Sequence, residues 1–179
     1  MPRAVAIDSN ALTYLIDANQ ADYDPLSDPL LGRQRVAMVR TFFYSDRLLW
    51  VPPTVEAEYK RIQNSEKYDD HRRMAQYVLE DQPLRIDAAV LEARVRELAI
   101  SHRGEADCRV IAETEFASLD TLLSCDAKMA RALNDLSKVR ILQPSEFWDL
   151  LAVPPGSRPV RSPAPGHPLF GKNWWTIDA

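Results

Sequence analysis

Four short apolar runs, each separated from the next by a long stretch of helical period, leave this chain few folds to choose from. The runs are Arg3–Ile7 (RAVAI), Arg47–Val51 (RLLWV), Thr121–Ser124 (TLLS) and Val139–Leu142 (VRIL). Each is too short to make a helix, and apolar residues at consecutive positions suit a strand buried on both faces. Strands that alternate with helices are joined by crossovers, and a sheet built that way is parallel and covered on both faces. The expected fold class is therefore α/β with a central, mostly parallel sheet.

Helices are expected from about Asn10, over Pro29–Tyr44, from Pro53 through Ile62, and over His71–Leu79, Asp87–His102, Glu105–Phe116, Asp126–Leu136 and Ser145–Leu150. Leu30, Val36, Val39, Phe42 and Phe43 share one broad face of the second of these, and Val90, Leu91, Val95, Leu98 and Ala99 form the stripe of Asp87–His102. Pro52 and Pro53 stop the second strand, and proline suits the first turn of the helix that follows. Gly104 breaks the chain before Glu105.

Composition changes near the end. The segment 153–179 holds six of the 13 prolines and three of the five glycines, with Arg158, Arg161 and Lys172 against Asp178. It is thus about +2 where residues 1–152 are about −6. Proline fixes φ and offers no amide donor, so this arm is neither a helix nor a central strand. Its aromatic end is expected to pack Phe170, Trp174 and Trp175 on the body or on a twin subunit. Trp50 and Trp148 sit in apolar runs and are expected in the core.

Several classes are excluded. Cys108 and Cys125 lack CxxC or Cys/His spacing, which argues against a disulfide scaffold and a structural zinc site and for a reducing, cytoplasmic setting. No apolar run approaches the roughly 18–20 residues of a membrane span. The first residues, MPRAVAIDSN, do not form a signal peptide. His71, His102 and His167 are scattered without ligand spacing, and no chemistry is assigned to them.

In open α/β sheets, ligands sit beyond the carboxyl ends of the strands. Acids recur there. Asp8 follows the first run directly, Asp126 follows the third by one residue, Glu56 and Glu58 lie just past the second, and Asp107 lies in the first turn after Gly104. Each alone suits a helix cap or a first-turn acid that complements the helix dipole. Four carboxylates meeting at one edge would repel one another, and a divalent cation resolves that repulsion. Mg²⁺ and Mn²⁺ favour such hard oxygen donors, and the natural chemistry is metal-assisted attack of water on a phosphodiester. Glu56 and Glu58 point about 200° apart on a helix, so only one of them can face such a site. Arg109, Lys128 and Arg131 are the basic residues nearest the acids and are candidates for guiding phosphates, although Arg109 is also placed to pair with Glu105 at i,i+4.

These residues carry a resemblance. Ala4-Val5-Ala6-Ile7-Asp8-Ser9-Asn10 resembles the opening strand and Asp-Thr/Ser-Asn signature of the PIN-domain ribonucleases, which include the VapC toxins. Val51-Pro52-Pro53-Thr54-Val55-Glu56-Ala57-Glu58-Tyr59 resembles their second signature, Gly104-Glu105-Ala106-Asp107 with its apolar-alanine helix the third, and Leu122-Leu123-Ser124-Cys125-Asp126 the fourth. The four motifs stand in the family's order over residues 3–150. The resemblance implies a PIN-like three-layer α/β/α sandwich and Mg²⁺- or Mn²⁺-dependent cleavage of single-stranded RNA. Asp8, Glu58, Asp107 and Asp126 match the metal-binding and catalytic acids. Glu58 fits better than Glu56, because it lies five residues after Pro53 and precedes a bulky residue. Asn10 and Ser124 match the polar positions that orient acids or water, and Glu105 is an additional carboxylate. Lys128 and Met129 stand where many relatives carry a further acid. The family also implies partners: a small antitoxin protein, or a second copy in a homodimer. The alternative within the resemblance is a non-catalytic PIN-like module that binds RNA or protein.

Overall fold

Val5, Ala6 and Ile7 are all fully buried. Successive side chains of a strand point to opposite faces, so both faces of the sheet at this strand are covered. The computed structural model, which describes residues 4–27, 29–78 and 86–177, contains four strands and eight helices among those residues. They are β1 Val5–Ile7, α1 Ser9–Ala18, α2 Pro29–Tyr44, β2 Leu49–Trp50, α3 Pro53–Tyr59, α4 Ser65–Val78, α5 Ala88–Ala99, α6 Glu105–Phe116, β3 Thr121–Leu123, α7 Ala127–Leu133, β4 Arg140–Leu142 and α8 Pro144–Leu151. All strand pairs are parallel, in the order β2-β1-β3-β4. The expected α/β class is what the chain adopts. Among the described residues no helix is long and apolar enough to cross a membrane.

The chain leaves β1 for β2 on one side and then crosses to β3 and β4 on the other. That reversal creates a switch point between β1 and β3, the position where open α/β sheets form a crevice. The two strand ends are tied there by the Asp8 amide, which donates to the Leu123 carbonyl at 3.0 Å. On the helical side, α1, α2 and α8 pack together, α5 packs on α6, and α3 packs on α6 and α1.

Helix ends depart from the expected ones for local reasons. α4 starts at Ser65, six residues before His71, because the Asn64 side chain accepts the Lys67 amide at 2.9 Å and caps it. Its inward residues Tyr68, His71, Met74 and Ala75 are helically spaced but set among charges that mask the stripe. α7 stops at Leu133 instead of Leu136, because the Asn134 amide group pairs with both backbone groups of Ile141, at 3.1 and 2.8 Å. Arg3 of the first expected strand and Leu79 of an expected helix lie outside the described residues.

Residues 153–177 form no helix or strand and run along α2. The Arg161 guanidinium donates to the carbonyls of Phe42 and Ser45, at 2.9 and 2.8 Å, and Arg40 donates to those of Trp175 and Thr176, both at 3.1 Å. Trp175 is buried, with its ring 4.5 Å from that of Phe43, and Trp174 meets Tyr23 edge-on at 5.2 Å. Phe170, expected to anchor the arm, is instead 56% exposed, and its neighbour Leu169 is buried in its place. A turn rotates the chain there, with the Phe170 amide donating to the His167 carbonyl at 2.9 Å.

Trp175→Ala is expected to lower unfolding stability by about 3–5 kcal/mol, as for other buried large aromatics. Phe170→Ala is expected to change it by less than about 0.5 kcal/mol. Urea unfolding of the two variants beside the wild type measures both.

Candidate active site at the strand ends

Asp8 is the centre of the arrangement. It ends β1, is 9% exposed, and caps α1 by accepting the Ala11 amide on Oδ1 at 2.7 Å. Burial pushes its carboxyl from an ordinary 3.8 up to about 6, with Asp107 adding repulsion. Hydrogen bonds from the Ser124 hydroxyl and from the Ala11 and Asn10 amides work in the opposite direction. The buried Ser124 therefore serves two acids, since its Oγ also accepts the Asp126 amide at 3.0 Å. Burial, reinforced by the Asp8 charge, pushes the neighbouring Cys125 thiol up to about 12, so it stays neutral.

Asp126 turns its carboxylate into its own helix. Oδ1 accepts the Met129 and Lys128 amides at 3.0 and 2.7 Å, which holds the group below the usual carboxylate range, helped by the charge of Lys128. Asp107, on the first turn of α6, takes a different partner: its Oδ2 lies 2.8 Å from His102 Nε2. Gly104 makes that approach possible, because a Cβ there would overlap both the Asp107 carboxylate and the His102 ring. His102, to which its sequence context assigns no chemistry, is thus the partner of Asp107. The signal for it was the short His102-to-Asp107 step across a glycine.

Glu58 projects from α3 and accepts the Ser9 hydroxyl, next in the chain to Asp8. Glu56 points elsewhere and pairs with Lys60 at 2.6 Å. The start of α3 is held by a residue the sequence reading passed over. Glu113 of α6, 4% exposed, accepts the Thr54 amide at 3.0 Å and the Thr54 hydroxyl at 2.7 Å. Its burial raises its carboxyl above the ordinary range, and Glu58 adds to the rise. The sign of it in the sequence is an acid directly after Ile111-Ala112 in the apolar stretch of the helix.

The remaining candidates take distinct places. Asn10 is exposed on the first turn of α1. Glu105 is exposed and reaches Arg109 at 3.5 Å. Arg109 is gripped by both oxygens of Glu92, at 2.6 and 3.0 Å, so its charge is directed toward α5. Lys128 is exposed beside Asp126, and Arg131, one turn on, donates to the Ala127 carbonyl at 3.1 Å.

The four acids therefore reach one edge without converging on one point. Among the described residues no group of three or more His, Cys, Asp or Glu side chains is close enough to hold a metal ion. This corrects the expectation of a four-carboxylate cluster. The reason is local: Asp126 is satisfied by its helix, Asp107 by His102 and Glu58 by Ser9, and the buried Asp8 is left with the charge of Asp107 acting on it.

No family model and no curated protein matches the chain. Among solved structures it is similar to a chain of FitAcB from Neisseria gonorrhoeae, at 20% identity over 78% of this chain and 97% of that one, with a TM-score of 0.49.

The raised carboxyl of Asp8 sets a sign for stability. The folded state holds the proton more tightly than the unfolded chain, so stability falls as pH rises from 3.8 through about 6, and the cost is complete above that. The rise corresponds to about 3 kcal/mol. Asp8→Asn keeps a cap and removes the charge. In EDTA it is expected to gain up to about 3 kcal/mol at pH 7.5, shrinking to about half a kcal/mol near pH 4. Denaturant unfolding at the two pH values checks this.

Proposed function

We propose that the strand-end acids hydrolyse phosphodiester bonds of single-stranded RNA, with Mg²⁺ or Mn²⁺ as cofactor. The observation that carries this reading is the buried carboxylate of Asp8 at the end of β1, where the Asp8 amide ties β1 to β3, with Asp107 of α6 acting on it. Two acids remote in sequence repel each other there, one of them buried, and the groups that set the charge of Asp8 are a hydroxyl, backbone amides and a second acid. A merely structural site has no reason to keep that repulsion. The donor set suits a hard cation, and magnesium needs only one or two carboxylates, the rest of its shell being water and phosphate. Asp8 and Asp107 are the pair that would hold it. Such an ion, when bound, polarises a phosphoryl oxygen and lowers the pKa of water.

The protein's own part is positioning. Ser124 orients the Asp8 carboxylate, and His102 holds Asp107 toward the edge. The exposed ammonium of Lys128 and the Arg131 guanidinium one turn on are the cations this reading assigns to the phosphate chain beside Asp126. Ser9 keeps Glu58 beside the Asp8 end of the site. The choice of RNA over other phosphodiesters, and of a small antitoxin protein as the controlling partner, follows from the four-motif resemblance to PIN-domain ribonucleases.

A labelled single-stranded RNA incubated with the protein and Mn²⁺ is expected to be cut, and EDTA to stop the reaction. Asp8→Asn and Asp107→Asn are each expected to lose about 100-fold or more in rate while remaining folded. Glu58→Gln is expected to lose activity heavily. Glu56→Gln should stay near wild type, since an exposed ion pair is worth at most about 1 kcal/mol. Wild-type rates for Asp8→Asn would overturn the assignment, and intact RNA throughout would favour a binding module.

A further inference from the structure

A cavity of about 160 Å³ lies between α1, α3 and α4, and it opens beside the proposed catalytic edge because Ser9 and Glu58 form part of its wall. For scale, a protein cavity of about 150 Å³ holds a single benzene-sized ring. Leu12, Val55 and Ile62 give it apolar sides. The rings of Tyr59 and His71, with centroids 6.3 Å apart and inclined at 39°, give it an aromatic wall of the kind on which unstacked RNA bases settle. The exposed Lys67 stands at its rim, where a phosphate would follow the base.

Three of the polar side chains on its wall offer acceptors. His71 is 4% exposed, and its Nδ1 lies 2.7 Å from the Lys67 carbonyl. A carbonyl only accepts, so Nδ1 carries the proton and Nε2 of the neutral ring presents a lone pair. Burial also lowers the His71 pKa, which keeps the ring neutral. Thr13 Oγ1 lies 3.4 Å from Nε2, but that hydroxyl donates to the Ser9 carbonyl at 2.8 Å. His71 Nε2, the Thr13 oxygen and the Glu58 carboxylate, one oxygen of which takes the Ser9 hydroxyl, are therefore three acceptors on residues that line one cavity.

We propose that this cavity receives one pyrimidine base of the RNA and prefers cytosine to uracil, so that it sets which bond is cut. The proposal rests on the nuclease reading above for its consequence, but not for the binding itself. The exocyclic amino group of cytosine supplies two N–H donors to the acceptors. Uracil would place a carbonyl oxygen against them and leave a buried acceptor unmatched, a difference that typically amounts to about tenfold or more.

The test is titration of the intact protein with cytidine and with uridine, followed by NMR, beside base-resolved mapping of cuts in a randomised RNA with Mn²⁺. Cytidine is expected to shift the resonances of Leu12, Thr13 and His71, with uridine about tenfold weaker or more. Cuts are expected at a fixed distance from cytosine. His71→Phe keeps the ring and removes the acceptor, and should erase the preference between the two nucleosides. Ile62→Trp, on the half-buried rim, should fill the cavity and abolish binding of both. Equal binding of the two nucleosides, unchanged preference in His71→Phe, or shifts located elsewhere would overturn the proposal. Cytidine binding without any RNA cleavage would sustain the pocket and sink the nuclease reading. Cleavage with no base preference and no nucleoside binding would do the reverse.

Discussion

A carboxylate at the end of a strand that has water on neither face is expensive, and the surroundings of Asp8 are arranged around that expense. The strand must be buried because the sheet is parallel and covered by helices, and Asp8 is its next residue. Backbone amides at the start of α1 and the Ser124 hydroxyl soften the cost without removing it, because burial outweighs them and the charge of Asp107 adds to it. Where a structural acid would be given an arginine, this one is given another acid. That choice separates the strand-end site from Glu115 and Glu92, whose arginine partners Arg94 and Arg109 hold both carboxyls below their ordinary range.

The helices position this site by acting on one another. Glu113, buried on α6, satisfies the Thr54 amide and hydroxyl at the start of α3, and α3 in turn carries Glu58 to the Ser9 hydroxyl. α4 closes the far side, bringing His71 against Thr13 of α1 and leaving the cavity between them. The arm acts at a distance from all this. It covers Phe43 and Tyr44 of α2 with Trp175, on the side of α2 that also carries Arg40.

Much of this was legible in advance, for identifiable reasons. The strand runs were readable because burial on both faces demands apolar residues in succession, and the caps at Asp8 and Asp126 were readable because a side-chain acceptor after a strand has an evident use. α4 was half hidden, because its inward residues are few and its outer face is densely charged. Phe170 misled because an arm without regular structure has no period from which to tell inward from outward. Glu113 and His102 were passed over because their roles depend on which element lies opposite them.

The sequence by itself therefore determined the class of sheet, the alternation of its elements and the placing of acids just beyond strand ends, since hydrophobic period and turn chemistry are local properties. It could not decide the strand order β2-β1-β3-β4, which puts the ends of β1 and β3 side by side and makes Asp8 the neighbour of Ser124. Nor could it decide that Glu92 claims Arg109, that His102 meets Asp107, or that the four acids share an edge without sharing a point. Those are pairings between side chains far apart in the chain. They are settled by competition among all the partners that packing brings within reach, and that competition exists only once the chain has folded.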